Sequence, residues 1–265
     1  MTAALVSKDC VDDPDLRPYT AMRERDLVGR EGSFIAEGEV VVRVLAFRSA
    51  LRVRSLLLEQ RRVEPMHDVL AALPDHVPAY VVSQRVMDAV VGFSIHRGVL
   101  ALGERGPTLA PASLAATASV LVGLVGLTNH DNVGGIFRNA AAFGAGGVLL
   151  DETTCDPLYR KAIRVSAGTA LVVPFARCGS AHEMLDLLRS MNVEPIALTP
   201  RGEETLDALE PGRRALILGT EGPGLPDEVL ARTRRVRIDI APGVDSLNVA
   251  VASGIALHAS RRWTR

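Results

Sequence analysis

The stretch Leu216-Ile-Leu-Gly219-Thr-Glu221-Gly222-Pro-Gly224-Leu-Pro226 runs from an apolar segment into a glycine-rich loop and on to a short helix at Asp227 to Arg232. Strand, glycines, then helix is the order in which open α/β sheets place ligands at the carboxyl ends of parallel strands. A tight turn accounts for one or two glycines. Gly219, Gly222 and Gly224 around the Glu221 carboxylate exceed that need, and glycine lets backbone groups approach a ligand closely. The other glycine cluster, Gly144-Ala-Gly146-Gly147, follows a helix and precedes a strand, the reverse of the dinucleotide order, and predicts a helix stop and a turn.

Two further loops have the same setting. Val120 to Leu127 is a nearly continuous apolar run, as in a strand buried on both faces. It leads into Asn129-His-Asp-Asn132-Val-Gly-Gly-Ile-Phe-Arg138-Asn-Ala140, helical over Val133 to Phe143. Asn132 reads first as a helix cap and only second as a site residue, and Arg138 equally as a solvated or a functional cation. His130 has no partner motif. Farther on, Val236 to Ile240 predicts a strand, Pro242-Gly243 a turn, and Leu247 to Arg262 the closing helix. Ser246 suits its N-cap. Asn248, placed in the first helical turn, is not explained by capping. Three polar loops, each after a parallel strand, converge on one sheet edge.

The remaining elements complete two α/β halves. The first is predicted as a helix from Ser33 through Leu45, a strand Val53 to Leu58, a helix Met66 to Leu73, a strand Pro78 to Val82, a helix Gln84 to Val91 and a strand Gly98 to Gly103. The second adds strands at Val148 to Leu150, Leu171 to Pro174, Glu194 to Leu198 and Arg214 to Leu218, with a helix at Ala181 to Met191. The expected division is a flexible acidic leader (1–15), a smaller α/β domain (16–105), a proline-glycine linker (106–115) and a parallel-sheet domain (116–265).

Composition is that of a soluble globular chain, 48% hydrophobic and 23% charged, with no uncharged apolar run long enough for a membrane span. The leader carries Asp9, Asp12, Asp13 and Asp15 and has no apolar core, unlike a signal peptide. Cys10, Cys155 and Cys178 are odd in number and lack metal-ligand spacing, so a reduced cytoplasmic protein without a metal site is expected. Net charge is −1, which gives no global signal for nucleic acid. Locally, Arg43, Arg48, Arg52, Arg54, Arg61 and Arg62 face one acid, Glu59, and fit either an RNA grip or a solvated face. With aromatics at 4%, phosphate contacts rather than base stacking would dominate RNA binding.

Together, Asn132 to Arg138, Gly219-Thr-Glu221-Gly222 and Ser246-Leu247-Asn248 resemble the motifs of the SpoU (TrmH-type) RNA ribose methyltransferases of the SPOUT class. Lys161-Ala-Ile-Arg164-Val-Ser166-Ala-Gly168 is similar to that family's intervening basic segment, and the likeness covers 116–262. The first half, with Glu37-Gly38 and Gly92 to Gly98, resembles the L30e-like domain that often precedes it. One departure is Asp239, where the family usually has proline.

The resemblance implies an α/β-knot domain with a deep trefoil knot, an exception to the rule against knotted chains. It also implies S-adenosylmethionine as cofactor, contacts to it at Leu218, Gly219, Ile238, Ile240 and Leu247, no metal, and a homodimer through the C-terminal domain. The substrate it implies is structured RNA, ribosomal rather than transfer RNA. Arg138 would act on the substrate, held by Asn132 and Glu221, while Ser246 and Asn248 line the cleft. Because a guanidinium stays protonated, Arg138 would grip a phosphate and stabilise charge on the 2′-oxygen rather than act as a base. RNA contacts are expected at Arg52, Arg54, Arg160, Lys161 and Arg164, with the His96-Arg97 pair beside them. The competing readings are a SPOUT enzyme acting on transfer RNA or a base nitrogen, and a non-catalytic RNA-binding assembly factor.

Overall fold

The computed structural model describes residues 3–20, 28, 32–92 and 97–260. Two compact units emerge, one of residues 1–107 with 158–172, the other of 108–157 with 173–265. The sequence-based division places 158–172 with the second half; its contacts place it with the first.

The first unit is built on a five-stranded sheet in the order β1-β4-β3-β5-β2, made of β1 (Ala4–Ser7), β2 (Ser33–Glu37), β3 (Arg52–Glu59), β4 (Pro78–Val82) and β5 (Val99–Glu104). β5 runs antiparallel to β2 and β3, while β1 and β3 flank β4 in parallel. The helices are α1 (Glu39–Arg48), α2 (His67–Ala72) and α3 (Gln84–Val91), with α6 (Arg160–Val165) added from later in the chain.

Two expectations fail here for physical reasons. Ser33 to Glu37 is a fully buried strand rather than a helix start; the chain turns at Gly38 (φ 95°), and only then does α1 begin. Phe34 lies opposite Gly103, where an added Cβ would come within 2.2 Å of the Phe34 ring, so the strand pairing depends on that glycine. The acidic leader contributes an edge strand: Ala3 and Lys8 donate backbone N–H groups to Leu70 and Val81, and Lys8 Nζ reaches Asp13 (2.9 Å) and Asp15 (2.7 Å).

The second unit contains an all-parallel seven-stranded sheet in the order β10-β12-β9-β11-β6-β7-β8. Its strands are β6 (Val120–Leu124), β7 (Gly147–Leu150), β8 (Phe175–Arg177), β9 (Glu194–Leu198), β10 (Glu204–Thr205), β11 (Arg214–Leu218) and β12 (Arg234–Arg237). β6, β7 and β11 are buried throughout, as strands covered on both faces must be. The helices are α4 (Pro111–Thr117), α5 (His130–Phe143), α7 (Ala181–Ser190), α8 (Asp227–Leu230) and α9 (Val249–Ser260).

Local chemistry sets the helix ends. Gly144 closes α5 in the left-handed conformation, the helix stop expected from sequence, and Ser180 with Glu183 forms a capping box on α7. Pro111, expected in a linker, opens α4 at a position where no N–H is needed. The strand expected at Leu171 to Pro174 is displaced to β8, and residues 169–171 form a 3-10 turn. β12 ends at Arg237, so Ile238 and Ile240 lie in the following loop rather than in a strand. Among the described residues no helix is long and apolar enough to cross a membrane.

Candidate active site

At the carboxyl edge of the parallel sheet, the segments following β9, β11 and β12 wall a cavity of about 810 Å³. Leu218, Gly219, Ile238, Ile240 and Leu247 all line it, as do Glu221, Ser246 and Asn248. The glycine loop is pinned by a bridge between Thr220 and Gly224. Gly219 has no room for a side chain, since an added Cβ would lie 2.6 Å from the backbone of Gly224 and Leu225. At the end of β12, Arg237 donates from Nε to Asp239 (2.9 Å) and from Nη1 to the carbonyls of Gly202 and Glu203. The residue that replaces the family's proline thus joins a polar tie between this loop and the turn after β9.

Asn248 is the centre of the polar set. Its Oδ1 accepts from the N–H groups of Ala250 (3.0 Å) and Val251 (3.2 Å), so it caps α9 itself and Ser246 does not. Its Nδ2 donates to Asn132 Oδ1 (2.9 Å) and to Glu221 Oε1 (2.5 Å). One side chain therefore serves as a helix cap and links all three motif loops. Ser246 is exposed on the cavity wall.

Asn132 is not a cap: Asn129 occupies that position, accepting from Asp131 N (2.9 Å), while Asn132 sits buried in the first turn of α5. Arg138, six residues on, is exposed. Among the described residues it bonds neither Asn132 nor Glu221, which are engaged by Asn248 instead. The expected clamp on Arg138 is thus absent from this structure.

Two supports were not foreseen. Asn139 donates from Nδ2 to Ala250 O (2.6 Å) and Ser253 Oγ (2.9 Å), tying α5 to α9. The helices approach closely there because Gly135 leaves no Cβ; one added would lie 2.8 Å from that of Ala250. Buried Asp151 accepts from Gly126 N, Thr153 Oγ1, Thr154 N and Thr154 Oγ1, holding the loop that leads into α5. The spacing of Asn132 and Asn139, seven residues or two helical turns apart, is the sequence signal for the first. Asp151 follows β7 with no motif around it and gives none.

Of the basic residues, Arg52, Arg54, Lys161 and Arg164 are exposed. Arg160 donates from Nε to buried Glu37 (2.9 Å), and Arg43 is held by Glu39 and Asp68. The arginine cluster is therefore partly a set of ion pairs. His96 lies outside the described residues.

Residues 119–258 match the family model described as the SpoU rRNA Methylase family. The chain belongs to the SpoU family of RNA methyltransferases. A Mycobacterium tuberculosis protein described as an uncharacterized tRNA/rRNA methyltransferase is 38% identical over 262 residues, 95% of this chain and 90% of that one. The structure of an AdoMet-bound rRNA methyltransferase from Sinorhizobium meliloti shares the fold, with a TM-score of 0.81 at 24% identity over 97% of this chain and 98% of that one. A structure described by the 2-OH methylation of C/U34 on tRNA matches 54% of this chain and 95% of its own, at 29% identity and a TM-score of 0.50. The SpoU match spans all three motif loops and every residue that lines the cavity.

Proposed function

We propose that this SpoU protein transfers a methyl group from S-adenosylmethionine to a ribose 2′-hydroxyl of ribosomal RNA, working as a homodimer in the cytoplasm. The observation that carries the reading is Asn248 bonded to both Asn132 and Glu221 at the rim of the 810 Å³ cavity. The cavity fits the cofactor in kind. Its volume lies within the roughly 300–1,000 Å³ usual for small-ligand sites. Leu218, Ile238, Ile240 and Leu247 offer apolar walls for a purine, and the open glycine loop offers backbone donors and acceptors. When bound, S-adenosylmethionine supplies an electrophilic methyl on its sulfonium sulfur.

The protein's own task is to place and activate the 2′-oxygen. Asn248, fixed by its cap bonds, holds Asn132 and Glu221 in register, and Ser246 presents a hydroxyl to the incoming ribose. Arg138, exposed and outside that bonded set, is left to grip a substrate phosphate and to stabilise negative charge growing on the 2′-oxygen. The hydroxyl proton leaves to that phosphate or to water. Arg52, Arg54, Lys161 and Arg164 supply further phosphate contacts, and Arg160 positions its segment through Glu37. Val251 and Ile255, exposed along α9, are the apolar surface a second copy would cover.

Ribosomal RNA is favoured by the family's own description, whereas the half-length structural relative is described with transfer RNA. Labelled methyl transfer to each RNA, followed by nucleoside digestion, tests the reading. A 2′-O-methyl nucleoside from ribosomal RNA is expected; a base-methylated nucleoside, or no incorporation into either RNA, would overturn it.

A further inference from the structure

A second cavity, of about 440 Å³, lies within the first unit at the start of α1. Three arginines line it from separate segments: Arg62 after β3, Arg97 just before β5 and Arg164 at the end of α6. Two carboxylates also border it, yet each is held by an arginine outside the lining. Glu37 accepts from Arg160 (2.9 Å) and Glu39 from Arg43 (3.1 Å). Nearby Glu59 accepts from Arg61 (3.2 Å). Each of these acids thus has an arginine partner outside the lining, and among the described residues Arg97 and Arg164 have no ion-pair partner. Two guanidinium groups without an ion-pair partner, Arg97 and Arg164, on one hollow favour an anion between them.

The backbone is shaped to let two of those arginines lie against it. Gly38 (φ 95°) stands under Arg97, where an added Cβ would come within 3.1 Å of Cδ and 3.2 Å of Nη1. Gly98 (φ 59°) stands under Arg62 and Glu59, an added Cβ falling 3.3 Å from Arg62 Cγ and 2.9 Å from Glu59 Cβ. Ala167, which also lines the hollow, holds a left-handed backbone (φ 52°) without being glycine, a strained conformation that gathers at functional sites. The start of α1, which has no side-chain cap, opens on the same hollow and adds N–H donors, but the arginines carry the charge.

We propose that this cleft is a phosphate site that takes one backbone phosphodiester of the RNA substrate between Arg97 and Arg164, with Arg62 behind it. The proposal rests on the RNA reading above and goes beyond it by assigning a single phosphate to a built cleft. Planar guanidinium forks suit phosphate oxygens, and forks converging from different segments fix the strand's register as well as its charge.

The test uses the full chain and a short RNA hairpin with and without a 5′-phosphate, titrated across a range of salt. R97Q and R164Q should each weaken binding and make the salt dependence shallower by about 0.7–0.9 in log–log slope, one phosphate contact. The double variant should show the same slope change as either single, because the same phosphate is lost once. Slope changes that add in the double variant would overturn the proposal, since the arginines would then contact separate phosphates. Unchanged binding in both single variants, with wild-type binding intact, would overturn the cleft alone. A variant effect that vanishes when the 5′-phosphate is removed overturns the phosphodiester assignment and gives the cleft to a chain end. No salt-dependent binding by the unaltered chain would overturn the RNA reading and the cleft together.

Discussion

Asn248 donates to Asn132 across 116 positions of sequence, at 2.9 Å, while its other side-chain atom caps α9. Substitutions can separate the two tasks. Asn248→Ala removes both and should cost about 1 kcal/mol for the cap, within a range of roughly 0.5–2. Asn248→Asp keeps an acceptor for the cap, but loses the donor to Asn132 and sets a second carboxylate against Glu221. The expected outcome is near-normal melting for the Asp variant with methyl transfer reduced at least tenfold. Full activity in Asn248→Asp would mean the link to Asn132 and Glu221 is not needed.

Arg138 is exposed and stands apart from that bonded trio. Arg138→Ala should abolish methyl transfer to RNA while leaving S-adenosylmethionine affinity, measured by calorimetry, within about twofold. Arg138→Lys should also fail, because a point charge does not reproduce a planar fork on phosphate. Near-wild-type turnover in either variant would remove Arg138 from the substrate side.

The glycine loop offers a steric contrast. Gly219→Ala would drive a Cβ to 2.6 Å from backbone atoms of Gly224 and Leu225, which cannot yield without moving the loop. Gly222→Ala meets open space and carries only the strain of φ 87°, on the order of 1 kcal/mol. Cofactor binding should fall at least tenfold in the first and much less in the second. Equal losses would show that loop conformation, not close packing at Gly219, governs the cavity.

These tests also show what the sequence discloses. The strands Pro78–Val82, Glu194–Leu198 and Arg214–Leu218 are predicted residue for residue, because dense apolar runs between turn residues admit one reading. Ser33 to Glu37 misleads because Phe34-Ile35-Ala36 has no period of its own, and only Gly38 marks the break. The two-residue strand β10 is too short to carry a pattern and forms because β12 lies beside it. In the site, the three loops are legible from the order of strand, turn and helix. The bonding among them is not: capping rules look at near neighbours, whereas Asn248 chooses partners 116 and 27 positions away.

Burial pushes the thiols of Cys155 and Cys178 up to about 11, with nearby acids (Asp156 for the first, Glu183 and Asp151 for the second) adding to it. A raised thiol pKa lowers the reactive thiolate, to roughly 0.03% at pH 7.5 for a pKa near 11. Cys10 is exposed. Iodoacetamide on the folded chain at pH 7.5 should therefore label Cys10 first, the other two reacting fast only in denaturant or as pH nears 11. Prompt labelling of all three by mass spectrometry would contradict the burial.

The last prediction concerns the segment that joins the first unit from the second half of the sequence. α6 packs on β2, Arg160 is paired with buried Glu37, Ser49 Oγ donates to Leu171 O (2.5 Å), and Gly168 lies close against Val44, where an added Cβ would come within 3.1 Å of the Val44 Cβ. A fragment of residues 107–265 keeps every residue lining the 810 Å³ cavity but deprives 158–172 of these partners. The fragment should still bind S-adenosylmethionine, while brief protease treatment should cut it first between Leu158 and Val172, where apolar Ile163 and Leu171 have lost their cover. The full chain should resist at the same dose. Transfer to ribosomal RNA should fall sharply in the fragment, since Arg52, Arg54, Arg62 and Arg97 are gone. If residues 158–172 stay protected without the first unit, then that segment is held by the second unit and not by the first.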